Sequence, residues 1–429
     1  MGLQTIFKLL VFVCFFSGMS VRAMTLEEAV ESAIKNDPTL RASKLNQLAT
    51  EENIAIAKAR LMPQISLQGS TNQLTQTTTQ DFPAGGSTSR SFTGPSVNHQ
   101  LVLRQALIRP KELSLLRYAE LQTEYMSLKY KYDLNELKSK VFNAWIELIA
   151  SQQIANAYEI PLPLMEISAR QELVKYEKGD GTKDAAIEAY AQYENAKMIH
   201  MQAEESAQVK KGIFEKIARV STKELANYTF SMEPEKILNE SEKLIISENF
   251  RNRSIEIQMA KLQELMQIER IKTATADHNP TFDLLAAINF AQNDATSTQG
   301  YKYKNKQIGI QYTIPIFNGG GISAATRQAS FGYESSLVES EALAIKIENE
   351  FDSIWSQAVG GQARQIALMN LFYSSEEQLK GAERSLELGV KSISDVAIAK
   401  NAVARRKVDL INTILDNKKV FYKIKKFLK

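Results

Sequence analysis

Few side chains in this sequence are spaced for chemistry. Histidines stand at 99, 200 and 278, too scattered to supply a metal ligand set. The one cysteine, Cys14, lies in an apolar run near the start, so disulfides, thiolate ligands and thiol catalysis are not expected in the folded chain. Asp180-x-Thr182-x-Asp184 begins like a calcium loop, but Ala185 occupies the position where such a loop turns on glycine. Gly319-Gly-Gly321 opens a helical stretch as an anion-binding loop would, yet no Lys-Ser/Thr follows. A turn into a helix is the simpler reading. No nucleophile can be paired with a base, so no catalytic, cofactor-binding or metal-binding residue is expected, and the chain reads as a non-enzyme.

Composition narrows the field further. Fifty-two Lys and Arg against 49 Asp and Glu leave a net charge of +3, which gives no basis for a nucleic-acid partner. Residues 1–23 read as a signal peptide: Lys8 is the positive flank, Leu9–Phe16 the apolar run, and Val21-Arg22-Ala23 the small-x-small cleavage site. The mature chain is expected to start near Met24, and a lipid anchor at Cys14 is not expected because no small residue directly precedes it. No later apolar run reaches the roughly 18 residues of a membrane-spanning helix, so any spanning segments must be strands.

The elements that would position a site come as an internal repeat, about 217 residues apart. Asn36-Asp-Pro-Thr-Leu leads through a helical run to Ala59-Arg-Leu-Met-Pro63 and then an alternating strand; Asn252-Arg-Ser-Ile leads through a similar run to Ala276-Asp-His-Asn-Pro280 and another. Thr25-Leu-Glu-Glu28 is a helix start, with the helix expected to run to about Leu61. Residues 75–96, rich in Thr, Ser, Gly and Pro, are expected to be a loop, followed by a strand over Val97–Ile108. In the second copy Phe282, Leu284, Ala286, Ile288 and Phe290 share one face, as do Ile308, Ile310, Tyr312, Ile314 and Ile316, with 293–305 as a polar loop between them. Long helical segments follow, about Lys111–Lys178 and Ile322–Leu388, the first interrupted by Pro161 and Pro163. Each ends at glycine, Gly179-Asp-Gly181 or Gly389-Val390, and reverses into a helix over 184–218 or 393–428. The expected division is 1–23 signal peptide, 24–218 first repeat, 219–249 linker or equatorial region, and 250–429 second repeat.

Strands apolar on one face for roughly 9–11 residues are long enough to cross a bilayer when tilted. An open sheet cannot sit in hydrocarbon, because each unpaired edge group costs several kcal/mol. Four strands are too few to close a barrel, so copies of the chain must share one. Long helices with little core of their own add the same demand for lateral partners.

These features resemble the TolC-type outer-membrane factor family across essentially the whole mature chain. Carrying the resemblance are Ala59-Arg60-Leu-Met-Pro63-Gln64-Ile-Ser-Leu67, His278-Asn-Pro280-Thr-Phe-Asp283-Leu284, Ile314-Pro315-Ile-Phe317-Asn-Gly319-Gly320 and Leu388-Gly389-Val390-Lys391-Ser392-Ile-Ser-Asp395-Val396. It implies a mainly α fold with membrane β: a long α-helical barrel plus a twelve-stranded β-barrel shared by a homotrimer, four strands from each chain, with internal duplication. It implies a passive duct in the cell outer membrane extending into the periplasm, among outer-membrane lipid. Such a duct works with a periplasmic adaptor and an inner-membrane ABC or proton-driven transporter, in type I protein secretion or drug efflux. The absent lipid anchor leans toward secretion. On the same resemblance Gly179, Gly181, Thr182, Gly389, Val390, Lys391 and Ser392 are candidate adaptor-docking tips. Asp184, Lys391 and Asp395 are candidate gate residues, with Asp184 matching Asp395 if one residue is missing from the first tip. Leu386 stands where relatives carry a tyrosine and Ile398 where a second acid would stand, so a single ring of Asp395 carboxylates is expected.

Plainer readings stand beside these. Glycine at a helix reversal is a steric C-cap, and an acid just inside a helix is favoured by the dipole alone. A structural coiled-coil or adhesin-like envelope protein is the main alternative, and a periplasmic adaptor another. The hairpins around 280–317 disfavour the first, and the lack of lipoyl-like glycine-rich strands the second.

Overall fold

The computed structural model describes residues 25–220, 230–234, 240–294 and 300–428; the expected signal peptide lies outside them. In chain order come α1 (Leu26–Asn36), α2 (Pro38–Ala59), β1 (Gln64–Asp81), β2 (Ser87–Ile108), α3 (Pro110–Glu159), α4 (Leu162–Glu177) and α5 (Lys183–Ala218). Then follow α6 (Glu240–Arg253), α7 (Ile255–Ala276), β3 (Thr281–Asn293), β4 (Tyr301–Thr313), α8 (Gly321–Glu387) and α9 (Ile393–Leu428). Among the described residues no helix is long and apolar enough to cross a membrane. Two compact units result, each drawing on both sequence halves: one holds the chain up to Ala42, Tyr132–Ser254 and Ile345 onward, the other Ser43–Lys131 and Ile255–Ala344.

Duplication is visible in the element lengths. Helices α2 and α7 both have 22 residues, and α5 and α9 both have 36. The helix expected to run unbroken from Thr25 to Leu61 is instead divided at Asp37. Pro38 takes the first helical position of α2, where a missing N–H costs nothing, and Asp37 Oδ1 accepts the Leu40 N–H at 2.8 Å. Ser254 marks the matching break between α6 and α7. Pro161 separates α3 from α4, as its sequence position led one to expect, whereas α8 runs 67 residues without interruption. Residues 240–249 of the expected linker are helical; Ile246 and Phe250, one turn apart, are buried, and the Phe250 ring meets Phe351 of α8 at 5.3 Å.

All four strands form one antiparallel sheet in the order β1-β2-β3-β4. Register places Ile65, Leu103, Ala286 and Ile308 in one row and Leu67, Leu101, Ile288 and Lys306 in the next. One face therefore collects Leu284, Ile310, Phe282 and Tyr312 as well, and the other is mostly polar, with Gln64, Ser66, Gln100, Asn289 and Gln307. Much of two expected loops is strand. Residues 75–96 lack apolar alternation, but Thr is β-branched and its hydroxyls pair across the ladder: Thr75 with Thr93 at 2.9 Å, Thr77 with Ser91 at 3.1 Å, Thr79 with Ser89 at 3.2 Å. In the second, Tyr301–Asn305 pair with Asn289–Asn293 of β3.

Candidate functional site

The two glycine reversals share one backbone. Gly179 has φ +80° and Gly389 φ +72°, left-handed values that only glycine adopts without strain. At the first, Gly179 N–H donates to the Tyr176 carbonyl and Asp180 N–H to that of Lys175; at the second, Gly389 donates to Leu386 and Val390 to Ser385. These bonds use carbonyls that the ends of α4 and α8 would otherwise leave unpaired. Three residues past each glycine a hydroxyl caps the next helix: Thr182 Oγ1 accepts the Ala185 N–H at 3.2 Å, and Ser392 Oγ accepts the Asp395 N–H at 3.2 Å. Gly181 lies close against α4, where an added Cβ would sit 3.0 Å from Lys175 Cβ.

This equal spacing revises the expected correspondence of the acids. No residue is missing from the first tip: Thr182 matches Ser392, so Asp184 matches Ser394 rather than Asp395. Asp395 completes a reciprocal cap, its Oδ2 accepting both the backbone N–H and the hydroxyl of Ser392 at 2.8 Å. Those two bonds, the backbone one foremost, hold its carboxyl below the usual aspartate value, with Lys391 adding attraction. Asp184 and Lys391 are exposed, and among the described residues neither side chain has a hydrogen-bond or ion-pair partner, including each other. Leu386 is half-buried and Ile398 exposed. Behind the tips, Met165 of α4, Ala196 of α5 and Ala397 of α9 pack into one core that fixes where the reversals point.

Sequence reading missed the strongest charge cluster. Asp283 on β3 has only 5% of its side chain exposed and accepts hydrogen bonds from Arg104 at 2.6 Å and from Arg109, whose Nε reaches Oδ1 at 2.9 Å. The two arginines stand five positions apart on β2 and just beyond it, which would put them on opposite faces of a regular strand. A bulge between Ala106 and Ile108 shifts the register by one and turns both guanidinium groups to Asp283. An acid on a membrane-length strand was the available signal; the partners lie 179 and 174 positions away. A second missed cluster joins three helices: Glu147 of α3 meets Lys210 of α5 at 2.7 Å and Lys419 of α9 at 2.6 Å. Burial pushes the Glu147 carboxyl up, but the two lysine bonds outweigh it and hold it below the usual glutamate value.

Known proteins share this fold. The Campylobacter jejuni CmeC outer membrane channel superposes with TM-score 0.77 at 16% identity, covering 94% of this chain and 85% of that one. The Vibrio cholerae outer membrane protein VceC gives TM-score 0.74 at 15% identity, covering 93% and 94%. Among sequence relatives, the proteases secretion protein PrtF of Dickeya chrysanthemi is 23% identical over 91% of this chain and 85% of its own length. The outer membrane protein TolC of Vibrio cholerae is 22% identical over 92% and 89%. Residues 29–211 and 246–416, most of both repeats, match the outer membrane efflux protein family. With a one-sided four-stranded sheet, paired glycine reversals and a duplicated helical frame already in place, that match settles the kinship: this chain belongs to the outer membrane efflux protein family.

Proposed function

We propose that three copies of this chain close a twelve-stranded barrel in the outer membrane and continue it as a helical duct, serving type I protein secretion. One observation carries the assembly: the sheet has a single apolar face and two free edges, β1 and β4, which hydrocarbon does not tolerate. Joining β4 of one copy to β1 of the next removes every edge. Secretion is favoured over drug efflux by the relatives PrtF and AprF, named for export of proteases and aligned along 85% and 79% of their own lengths. An inner-membrane transporter and a periplasmic adaptor then supply the energy and the coupling. The tips at Gly179–Thr182 and Gly389–Ser392 meet the adaptor. Asp184 and Lys391, free in one copy, pair when the tips close, and three Asp395 carboxylates line the aperture. The test is to extract the protein from outer membranes and measure its mass and its conductance in planar bilayers. A trimer with discrete, low conductance is expected; a detergent-free soluble monomer would end this reading.

A further inference from the structure

Register puts Lys302, Lys304 and Lys306 on the apolar face of the sheet, opposite Gln292, Phe290 and Ile288 of β3. The same strand then continues on that face with Ile308, Ile310 and Tyr312. Successive lysines are about 6.6–6.8 Å apart along the strand. All three are exposed, and among the described residues none of their ammonium groups has a hydrogen-bond or ion-pair partner. The 294–300 connection brings one acid, Asp294, whose carboxylate already accepts a bond from Gln292 at 2.8 Å.

We propose that these lysines bind the phosphate groups of lipid A, the phosphorylated glycolipid of the outer leaflet. The inference rests on the barrel reading, which turns this face to lipid. Lys302–Lys306 lie toward the β3–β4 connection, the end of the sheet away from the helices, and helices on the periplasmic side make that the outer-leaflet end. Level with Lys304, the middle one, is a row of flat rings. His99 stacks on Phe290 at 6.4 Å and lies over Gly69, where an added Cβ would come within 2.6 Å of its Nδ1. Aromatic rings mark the interface between acyl chains and headgroups. Going toward the helices, Lys302 comes first, Lys304 shares the row of the two rings, and Lys306 shares the first aliphatic row, with Leu67, Leu101 and Ile288. Lys306 pairs with Ile288, and its alkyl stem can cover that residue while the ammonium reaches outward.

Lysine on a sheet edge can also serve simply to deter aggregation. That role needs no particular face, yet 301, 303 and 305 on the opposite face are Tyr, Tyr and Asn, with the two tyrosine rings stacked at 5.9 Å. Along β4 the cations are confined to the lipid side.

The experiment titrates the purified full-length protein with lipid A, with the same lipid after phosphatase treatment, and with phosphatidylethanolamine, read by native mass spectrometry. The K302Q/K304Q/K306Q and K302R/K304R/K306R variants are compared, and planar-bilayer conductance is recorded for each. Expected is retention of lipid A by the wild type and the Arg variant, about a hundredfold weaker binding by the Gln variant, and loss of preference without the phosphates. Equal lipid A binding by the Gln variant, or binding indifferent to the phosphates, would overturn the site while normal conductance left the pore standing. Absence of any conductance in the wild type would remove the pore, and the site with it.

Discussion

Asp283 accepts hydrogen bonds from two guanidinium groups and is almost covered, whereas Asp184 accepts none and lies open on the second residue of α5. Both carboxylates stand near the start of their element, but only one is tied to residues far away in sequence. A carboxylate locked between two cations has one arrangement, and moving it leaves a covered acid or two neighbouring cations unpaired. An exposed carboxylate with no partner can take one from another chain or release it at little cost. The locked group serves architecture; the free one is available to a switch.

The sharpest way to break that contrast is to delete the locked acid. Asp283→Ala leaves Arg104 and Arg109 facing each other with nothing between them, and, since both guanidinium groups reach water in part, it should cost about 2–3 kcal/mol. The readout is the thermal unfolding midpoint of the detergent-extracted protein, together with its yield in the outer membrane. A loss no larger than that of an exposed Asp→Ala change would mean the cluster is ornamental.

Glu147 is the intermediate case, held by Lys210 and Lys419 but partly open to water. Glu147→Gln should cost about 1–2 kcal/mol at neutral pH. Because its folded carboxyl is held below the ordinary value, its contribution is complete above the unfolded value, near pH 4.3, and vanishes as pH falls through the folded one. Wild type and variant should thus differ at pH 7 and converge in acid. A gap that persisted there would point to lost packing.

Legibility followed sequence distance. Pro161 interrupts a helix by its own ring, and Phe282 to Phe290 alternate within one strand, so both could be read locally. Asp283 finds its arginines only after β2 and β3 have paired, and the bulge that aims them has no local signature. Residues 75–96 read as a loop because hydroxyl pairing, unlike apolar alternation, depends on which residue lies opposite. The same holds at the tips. Glycine announced the reversals, but Thr182 and Ser392 had to be seen as caps before Asp184 and Asp395 could be told apart.

The tips allow finer cuts through the contrast. Gly179→Ala and Gly389→Ala should each cost about 1–2 kcal/mol, by equal amounts, since both force a side chain into the left-handed region. Gly181→Ala should cost less, its Cβ meeting only the Lys175 side chain and nearby backbone at 3.0 Å and beyond. Asp395→Ala removes the reciprocal cap and should lower stability by about 1 kcal/mol, read in the same thermal assay. Unequal glycine effects would show that the shared backbone hides different contacts.

Asp184→Ala and Lys391→Ala should have the smallest effect on stability, within about 0.5 kcal/mol, because both side chains are exposed and, among the described residues, neither makes a hydrogen bond or ion pair. Their effect belongs to the closed trimer, where the proposed Asp184–Lys391 link would keep the tips together. Each change should raise single-channel conductance several-fold in planar bilayers, and the double change should add little to either, as for two halves of one bond. Exchanging the pair, Asp184→Lys with Lys391→Asp, should restore much of the closure. Conductance unaltered in both single variants would take the link out of the gate, leaving Asp184 as an acid placed for the α5 dipole alone. Additive increases would be more instructive. They would place the two residues at separate points of the aperture, each acting on its own, and the contrast with Asp283 would then rest on exposure without pairing.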